Sequence, residues 1–183
     1  MMSGVLVFVV AAWVTVTDLF YRRIHNVLII ALVISWCLSV LASIWSVGPY
    51  GHLNNIALWH ELGLSLLGAC GVLFVGFGLF TIGQMGAGDV KLMAVLCLWV
   101  GFDNQLVFLI VTALVGGVLA LFMPLVSLLE LYGAKLITQV SDRFPQLNIP
   151  TPLVFSYENV KGLPYGLAIS GGACFSLISP IPY

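Results

Sequence analysis

The stretch from Leu62 to Ile82, LGLSLLGACGVLFVGFGLFTI, decides the fold class of this chain. It contains no charged residue and is long enough to cross a bilayer, which takes about 20 residues of α-helix. Comparable apolar runs occur at about Ser3–Thr17, Val27–Val47, Val90–Val100, Leu106–Leu129 and Leu163–Ile181. The sequence therefore predicts an all-α membrane protein, a bundle of about six transmembrane helices in which the Val90–Val100 span is short.

Composition supports a chain that lies in the membrane along its whole length. Of its 183 residues 61% are hydrophobic and 7% are charged, whereas a soluble domain carries about 25% charged residues. We therefore predict a single polytopic domain over residues 1–183, surrounded by membrane lipids. The net charge of −1 and the lack of a basic stripe exclude nucleic acid as a partner. No CxxC pair occurs, so neither a metal site nor a cofactor is predicted.

The basic residues predict the orientation of the bundle. If the N-terminus is outside, each of them lies in or beside a cytoplasmic loop: Arg22, Arg23, Lys91, Lys135, Arg143 and Lys161. Because cytoplasmic loops are enriched in Lys and Arg, this places both termini on the periplasmic side of the inner membrane. Residues 130–161 then form a cytoplasmic connector, and the helical spacing of apolar residues in its first half predicts an amphipathic helix on the membrane surface.

Two of the seven acidic residues stand out by their position. Asp18 follows the first apolar run and Asp89 begins the fourth, so the predicted topology brings both to the inner edge of the membrane. A carboxylate near hydrocarbon usually faces the bundle interior and has a function. Two carboxylates held close share one proton. One can then activate water while the other polarises a carbonyl, so the pair predicts an aspartic peptidase.

The loop before Asp89 contains three glycines, in the sequence Gly83-Gln84-Met85-Gly86-Ala87-Gly88. Glycine permits close backbone approach, so an extended substrate strand can lie against Gly86 and Gly88. A tight turn or a close contact between helices explains the same glycines equally well. The motif GxGD alone therefore leaves both interpretations open.

Three motifs, taken in order, resemble the type IV prepilin peptidase family. Asp18 with Arg22-Arg23-Ile24-His25-Asn26 is similar to the family's D-x-x-x-R-x-I-P-N element. Similarity to its GxGD-x-K-L element is found in Gly86-Ala87-Gly88-Asp89-Val90-Lys91-Leu92, and similarity to its PYG/PFG element in Leu163-Pro164-Tyr165-Gly166. His25 stands where proline is common in the family. Asn26 is also predicted to cap the second helix.

The resemblance implies an endopeptidase that removes short, basic, glycine-ended leaders from prepilins at the cytoplasmic face, just before a hydrophobic helix. The resemblance also implies that Asp18 and Asp89 are the catalytic pair. It implies further that Pro164, Tyr165 and Gly166 line the cleft beside them. The chain is similar to the short form that serves tight-adherence (Flp-type) pili. It has no CxxC-bearing domain, so methyl transfer is not predicted.

Three other functions remain open from the residues. A proton-coupled small transporter would use Asp18 and Asp89 as a relay, although relay groups are expected near the midplane of the membrane. A non-catalytic scaffold of pilus assembly would need neither acid. A presenilin-like peptidase also uses GxGD, but no Tyr-Asp pair and no Pro-Ala-Leu element are present. The sequence does not identify the pilin or the oligomeric state.

Overall fold

The computed structural model describes residues 2–21, 24–45, 55–143 and 164–178 of the chain. All of the regular structure in these ranges is α-helical, which confirms the predicted all-α class. The helices are α1 (Met2–Tyr21), α2 (Asn26–Ile44), α3 (Asn55–Thr81), α4 (Ala87–Val100), α5 (Phe102–Leu121), α6 (Met123–Arg143) and α7 (Tyr165–Ile178).

Several of these helices have the length and apolarity of membrane spans. Three described helical segments are both long and apolar enough to cross a bilayer, namely Asn26–Ile44, Ile56–Thr81 and Phe102–Leu121. Two shorter apolar segments are Val7–Tyr21, which is part of α1, and Tyr165–Ile178. The number of six spans stays a prediction. Arg22, Arg23 and Lys161 lie outside the described residues, so the periplasmic placement of both termini also stays a prediction.

The predicted fifth span, Leu106–Leu129, is divided in the structure, and its prediction as one helix was wrong. Helix α5 ends at Leu121 and α6 begins at Met123, with Phe122 in a turn between them. Pro124 explains the division, because a proline inside a continuous helix would clash with the carbonyl four residues earlier, whereas the first turn of a new helix tolerates it. Residues 144–161 of the predicted connector lie outside the described part of the chain.

Helix α4 lies at the centre of the bundle, although it has only 14 residues. It contacts α2, α3, α5 and α7, while α7 packs between α1 and α5. Burial on all sides of α4 follows from its apolar composition. Its buried residues are Val90, Leu92, Ala94, Val95, Leu96, Cys97, Leu98 and Val100. The span predicted at Val90–Val100 thus begins a turn earlier, at Ala87.

Side chains from neighbouring helices donate hydrogen bonds to backbone carbonyls at the C-terminal end of α4. The last four carbonyls of a helix have no partner within it. Trp36 Nε1 of α2 donates to the carbonyl of Leu98 over 2.9 Å, and Gln105 Nε2 of α5 donates to the carbonyl of Cys97 over 3.1 Å. Gln105 Nε2 also donates to the carbonyl of Ser65 over 3.0 Å. These bonds tie the C-terminal end of α4, the helix whose first turn carries Asp89, to α2, α3 and α5.

Candidate active site

Asp18 lies near the C-terminal end of α1 with its side chain buried, at 6% exposure. The backbone N–H of Gly166 donates to its Oδ2 over 2.8 Å. Gly166 is in the first turn of α7, where the backbone N–H groups have no carbonyl partner within the helix. The positive end of the α7 dipole therefore faces a carboxylate, which is a favourable arrangement.

The contact between Asp18 and α7 requires glycine at position 166. A Cβ at Gly166 would lie 2.9 Å from Oδ2, 3.0 Å from Cγ and 3.0 Å from Cβ of Asp18. These distances are too short for carbon atoms, and two of them involve the part of the side chain nearest the backbone. Any larger residue at 166 would therefore displace the carboxyl group of Asp18 or the start of α7.

The loop between α3 and α4 sets the position of Asp89. Helix α3 ends in a Schellman motif, in which Gln84 N–H donates to the carbonyl of Leu79 over 3.0 Å and Gly83 N–H to that of Phe80 over 2.9 Å. Gly83 has a φ of 73°, the left-handed conformation that the motif requires. The chain then reverses within three residues, and α4 begins at Ala87.

Asp89 is half-buried in the first turn of α4, where a carboxylate is favoured by the helix dipole. The backbone N–H of Gly86 hydrogen-bonds to it, and it interacts electrostatically with Asp18. A Cβ at Gly86 would lie 2.8 Å from Oδ2 of Asp89. Gly86 therefore serves Asp89 much as Gly166 serves Asp18, by bringing a backbone N–H close to an acid.

Asp18 and Asp89 line one cavity of about 470 Å³. Its walls come from the C-terminal end of α1, the start of α2 and the α3–α4 loop, which all meet at the same end of the bundle. The lining residues are Asp18, Ile24, His25, Asn26, Gly86, Ala87, Gly88 and Asp89. The structure thus brings together the two acids and the two glycines that the sequence singled out. Such a space is large enough for water and a short stretch of extended peptide.

The other predicted site residues lie beside this cavity and outside its described lining. Pro164 is fully buried. The ring of Tyr165 packs on α5, where a Cβ added to Gly116 would lie 3.0 Å from Cε2 of the tyrosine. Gly166 contacts Asp18. The role of these three residues in substrate binding stays a prediction, and the contact that the structure gives to Gly166 is with the acid.

The cavity also includes residues to which the sequence analysis gave no part in the site. Ile24, His25 and Asn26 also line it, and a Cβ at Gly88 would lie 3.1 Å from Cβ of Ile24. The prediction that Asn26 caps α2 was wrong, because His25 occupies the N-cap position and makes no side-chain cap bond. Asn26 Oδ1 instead accepts a hydrogen bond from Lys91 Nζ over 3.5 Å, which links α2 to α4. The sequence offered one signal for Ile24, His25 and Asn26 as cavity residues, namely their position directly after Arg22-Arg23 in the first motif.

The described residues include no group of three His, Cys, Asp or Glu side chains arranged to hold a metal ion. The polar side chains among the residues that line the cavity are those of Asp18, Asp89, His25 and Asn26.

Fold and site together define a helical membrane protein with a pair of carboxyl groups in a cavity at one end of the bundle. The chain belongs to the type IV leader peptidase family, whose family model matches residues 5–121. Asp18 and Asp89 lie inside the matched range, and Pro164-Tyr165-Gly166 lies beyond it. Comparisons with curated proteins and with solved structures gave no match.

Proposed function

We propose that this protein is an aspartic endopeptidase that removes leader peptides from prepilins at the cytoplasmic face of the inner membrane. The observation that carries the proposal is the cavity shared by Asp18 and Asp89. Membership of a leader peptidase family supports the reaction class. The position of both acids at one end of the bundle favours a peptidase over a transporter, whose relay groups would lie near the midplane.

The proposed reaction uses the two carboxyl groups in complementary protonation states. The ionised carboxylate takes a proton from a water molecule in the cavity, and the resulting hydroxide attacks the scissile carbonyl carbon. The protonated carboxyl group donates a hydrogen bond to the carbonyl oxygen and stabilises the negative charge that develops there. Transfer of a proton to the leaving amine then breaks the C–N bond and yields a carboxylic acid and a new N-terminus.

The glycines of the cavity suit this reaction. A substrate must be extended at the scissile bond so that water reaches its carbonyl carbon. Gly86 and Gly88 line the cavity, and a Cβ at either would meet a neighbouring side chain, Asp89 Oδ2 at 2.8 Å or Ile24 Cβ at 3.1 Å. Glycine at these positions therefore lets the acid and the cavity wall pack closely around the substrate site. Fixed backbone N–H groups at Gly86 and Gly166 hold the acids in place without a reorganisation cost during the reaction.

Removal of either carboxyl group tests the proposal. Asp18→Asn and Asp89→Asn should each abolish processing of a co-expressed prepilin, read as retention of the uncut form on a gel. Asp103→Asn is the matched control, because Asp103 is an exposed acid at the start of α5, outside the cavity lining. Normal processing in either cavity variant, with the protein inserted at wild-type level, would overturn the proposed mechanism.

A further inference from the structure

An apolar groove between α3 and α4 adjoins the cavity that holds the two acids. Its volume is about 620 Å³. Ala87 lines both spaces, so the groove and the cavity adjoin at the start of α4. The residues of this groove, named here the α3/α4 groove, are Cys70, Leu73, Phe74, Phe77, Phe80, Ala87, Val90 and Lys91.

The α3 wall of the groove has the spacing of a helix-binding surface. Cys70, Leu73, Phe74 and Phe77 stand at i, i+3, i+4 and i+7, and Phe80 extends the same wall towards the cavity. Phe74 and Phe77 are 81% and 61% exposed, so their rings are available for contact. Residues at this spacing share one face of α3, and helices pack against one another through such faces.

Close packing of α3 on α4 forms the floor of the groove. A Cβ at Gly76 would lie 2.7 Å from Cγ1 of Val90, so the two helices approach closely at the residue after Asp89. Ala87, which has a small side chain, lies at the end of the groove next to the acids. The wall from Phe80 to Cys70 rises about 15 Å along α3, the length of about ten helical residues.

We propose that the α3/α4 groove binds the hydrophobic helix that follows the scissile bond of the substrate. This inference rests on the proposed function. A chain that leaves the cavity past Ala87 enters the groove at once. Within hydrocarbon it must satisfy its own backbone hydrogen bonds, which a helix does and an extended strand does not. The substrate is therefore extended at the acids and helical along α3.

A second apolar cavity, on the other side of α3, provides an internal comparison. It has a volume of about 470 Å³ and lies among α3, α4 and α5, with Phe102 in its lining. It shares Val90 with the α3/α4 groove but no described lining residue with the acid cavity. The α3/α4 groove shares Ala87 with the acid cavity and is therefore the assigned site.

Aromatic truncation separates the two surfaces. The double variant Phe74→Ala/Phe77→Ala should raise the KM for a model prepilin about fivefold in proteoliposomes, with kcat little changed, because packing between the helices is lost. Phe102→Ala, the matched control in the second cavity, should stay within about twofold of wild type. An unchanged KM in the double variant, or a larger effect of Phe102→Ala, would overturn the assignment.

Cysteine cross-linking places the substrate directly. Cys70 and Cys37 are both free and exposed, but only Cys70 lies in the groove. The Asp89→Asn variant is mixed with a model prepilin that carries one cysteine about ten residues after the scissile bond, and copper–phenanthroline then oxidises neighbouring thiols. A substrate disulfide that forms with Cys70 and is lost in Cys70→Ser supports the groove. Equal reaction at Cys37, or a Cys70–Cys70 dimer of the peptidase instead, contradicts it.

Different results would contradict the peptidase function and the assignment of the groove. If the wild-type protein leaves the model prepilin uncut, the proposed function is wrong. If the wild-type protein cuts it while the double phenylalanine variant keeps its KM and Cys70 does not cross-link, only the groove assignment is wrong.

Discussion

Gly166 donates its backbone N–H to Oδ2 of Asp18 over 2.8 Å, although the two residues lie at opposite ends of the chain. The bond joins the C-terminal end of α1 to the N-terminal end of α7. The Pro164-Tyr165-Gly166 motif therefore has a structural role, because it begins α7 at the point where the backbone N–H of Gly166, which has no carbonyl partner within the helix, reaches Asp18. The acid pair therefore depends on three separate segments of sequence for its geometry.

Gly166→Ala should lower kcat for prepilin cleavage by at least about tenfold, because displacement of a reacting group by about 1 Å can cost a hundredfold. The new Cβ would meet Asp18 at 2.9–3.0 Å. Single-turnover cleavage in proteoliposomes measures the effect.

Gly171→Ala is the matched control on the same helix. The nearest atom to a Cβ at Gly171 is Val115 Cγ1 at 3.8 Å, an ordinary van der Waals contact. Its kcat should equal that of wild type. Wild-type kcat in Gly166→Ala, at normal expression, would show that the position of Asp18 does not depend on α7.

Gly83→Ala should reduce the free energy of unfolding by about 1 kcal/mol, because a residue with a Cβ is disfavoured in the left-handed conformation. Gly83 has a φ of 73° at the end of α3. Gly78→Ala is the control, since it lies within α3 and a Cβ there meets no atom within 4 Å. That change should leave stability unchanged or slightly increased. Titration with SDS in mixed micelles gives both values, and equal stability of the two variants would contradict the prediction.

Much of the helical architecture could be predicted from the sequence, since apolar length and glycine or proline breaks report directly on helix boundaries. The runs that became α2 and α3 and the break at Gly83 to Gly88 were found in this way. The division at Phe122 was missed because residues 121–123 are as apolar as a span and only Pro124 marks the change.

The site was predictable in its acids but not in the contacts that hold them. Charge in an apolar chain identifies Asp18 and Asp89 on energetic grounds. Backbone N–H groups of Gly86 and Gly166 hydrogen-bond to these acids, and every residue except proline carries such a group. Which N–H reaches which acid is decided by helix packing, and side-chain identity alone does not encode it.

A pair of tryptophans between α2 and α4 gives a last prediction. Trp36 Nε1 donates to the carbonyl of Leu98, near the end of α4, and Trp99 Nε1 donates to that of Leu32, within α2, over 3.2 Å. Only the first acceptor belongs to the four terminal carbonyls that lack a partner in their own helix. Trp36→Phe should therefore cost about 1 kcal/mol of unfolding free energy, and Trp99→Phe about half as much.

The control for both variants is Trp13→Phe, because Trp13 lies on α1 and is 62% exposed. It should unfold at the wild-type SDS concentration. The test lies in which variant loses more unfolding free energy. A larger loss for Trp99→Phe than for Trp36→Phe would mean that these residues stabilise the protein by ring packing and not by hydrogen bonds to the terminal carbonyls of α4. Since α2 and α4 both supply walls of the acid cavity, Trp36→Phe should also slow prepilin cleavage more than Trp13→Phe does.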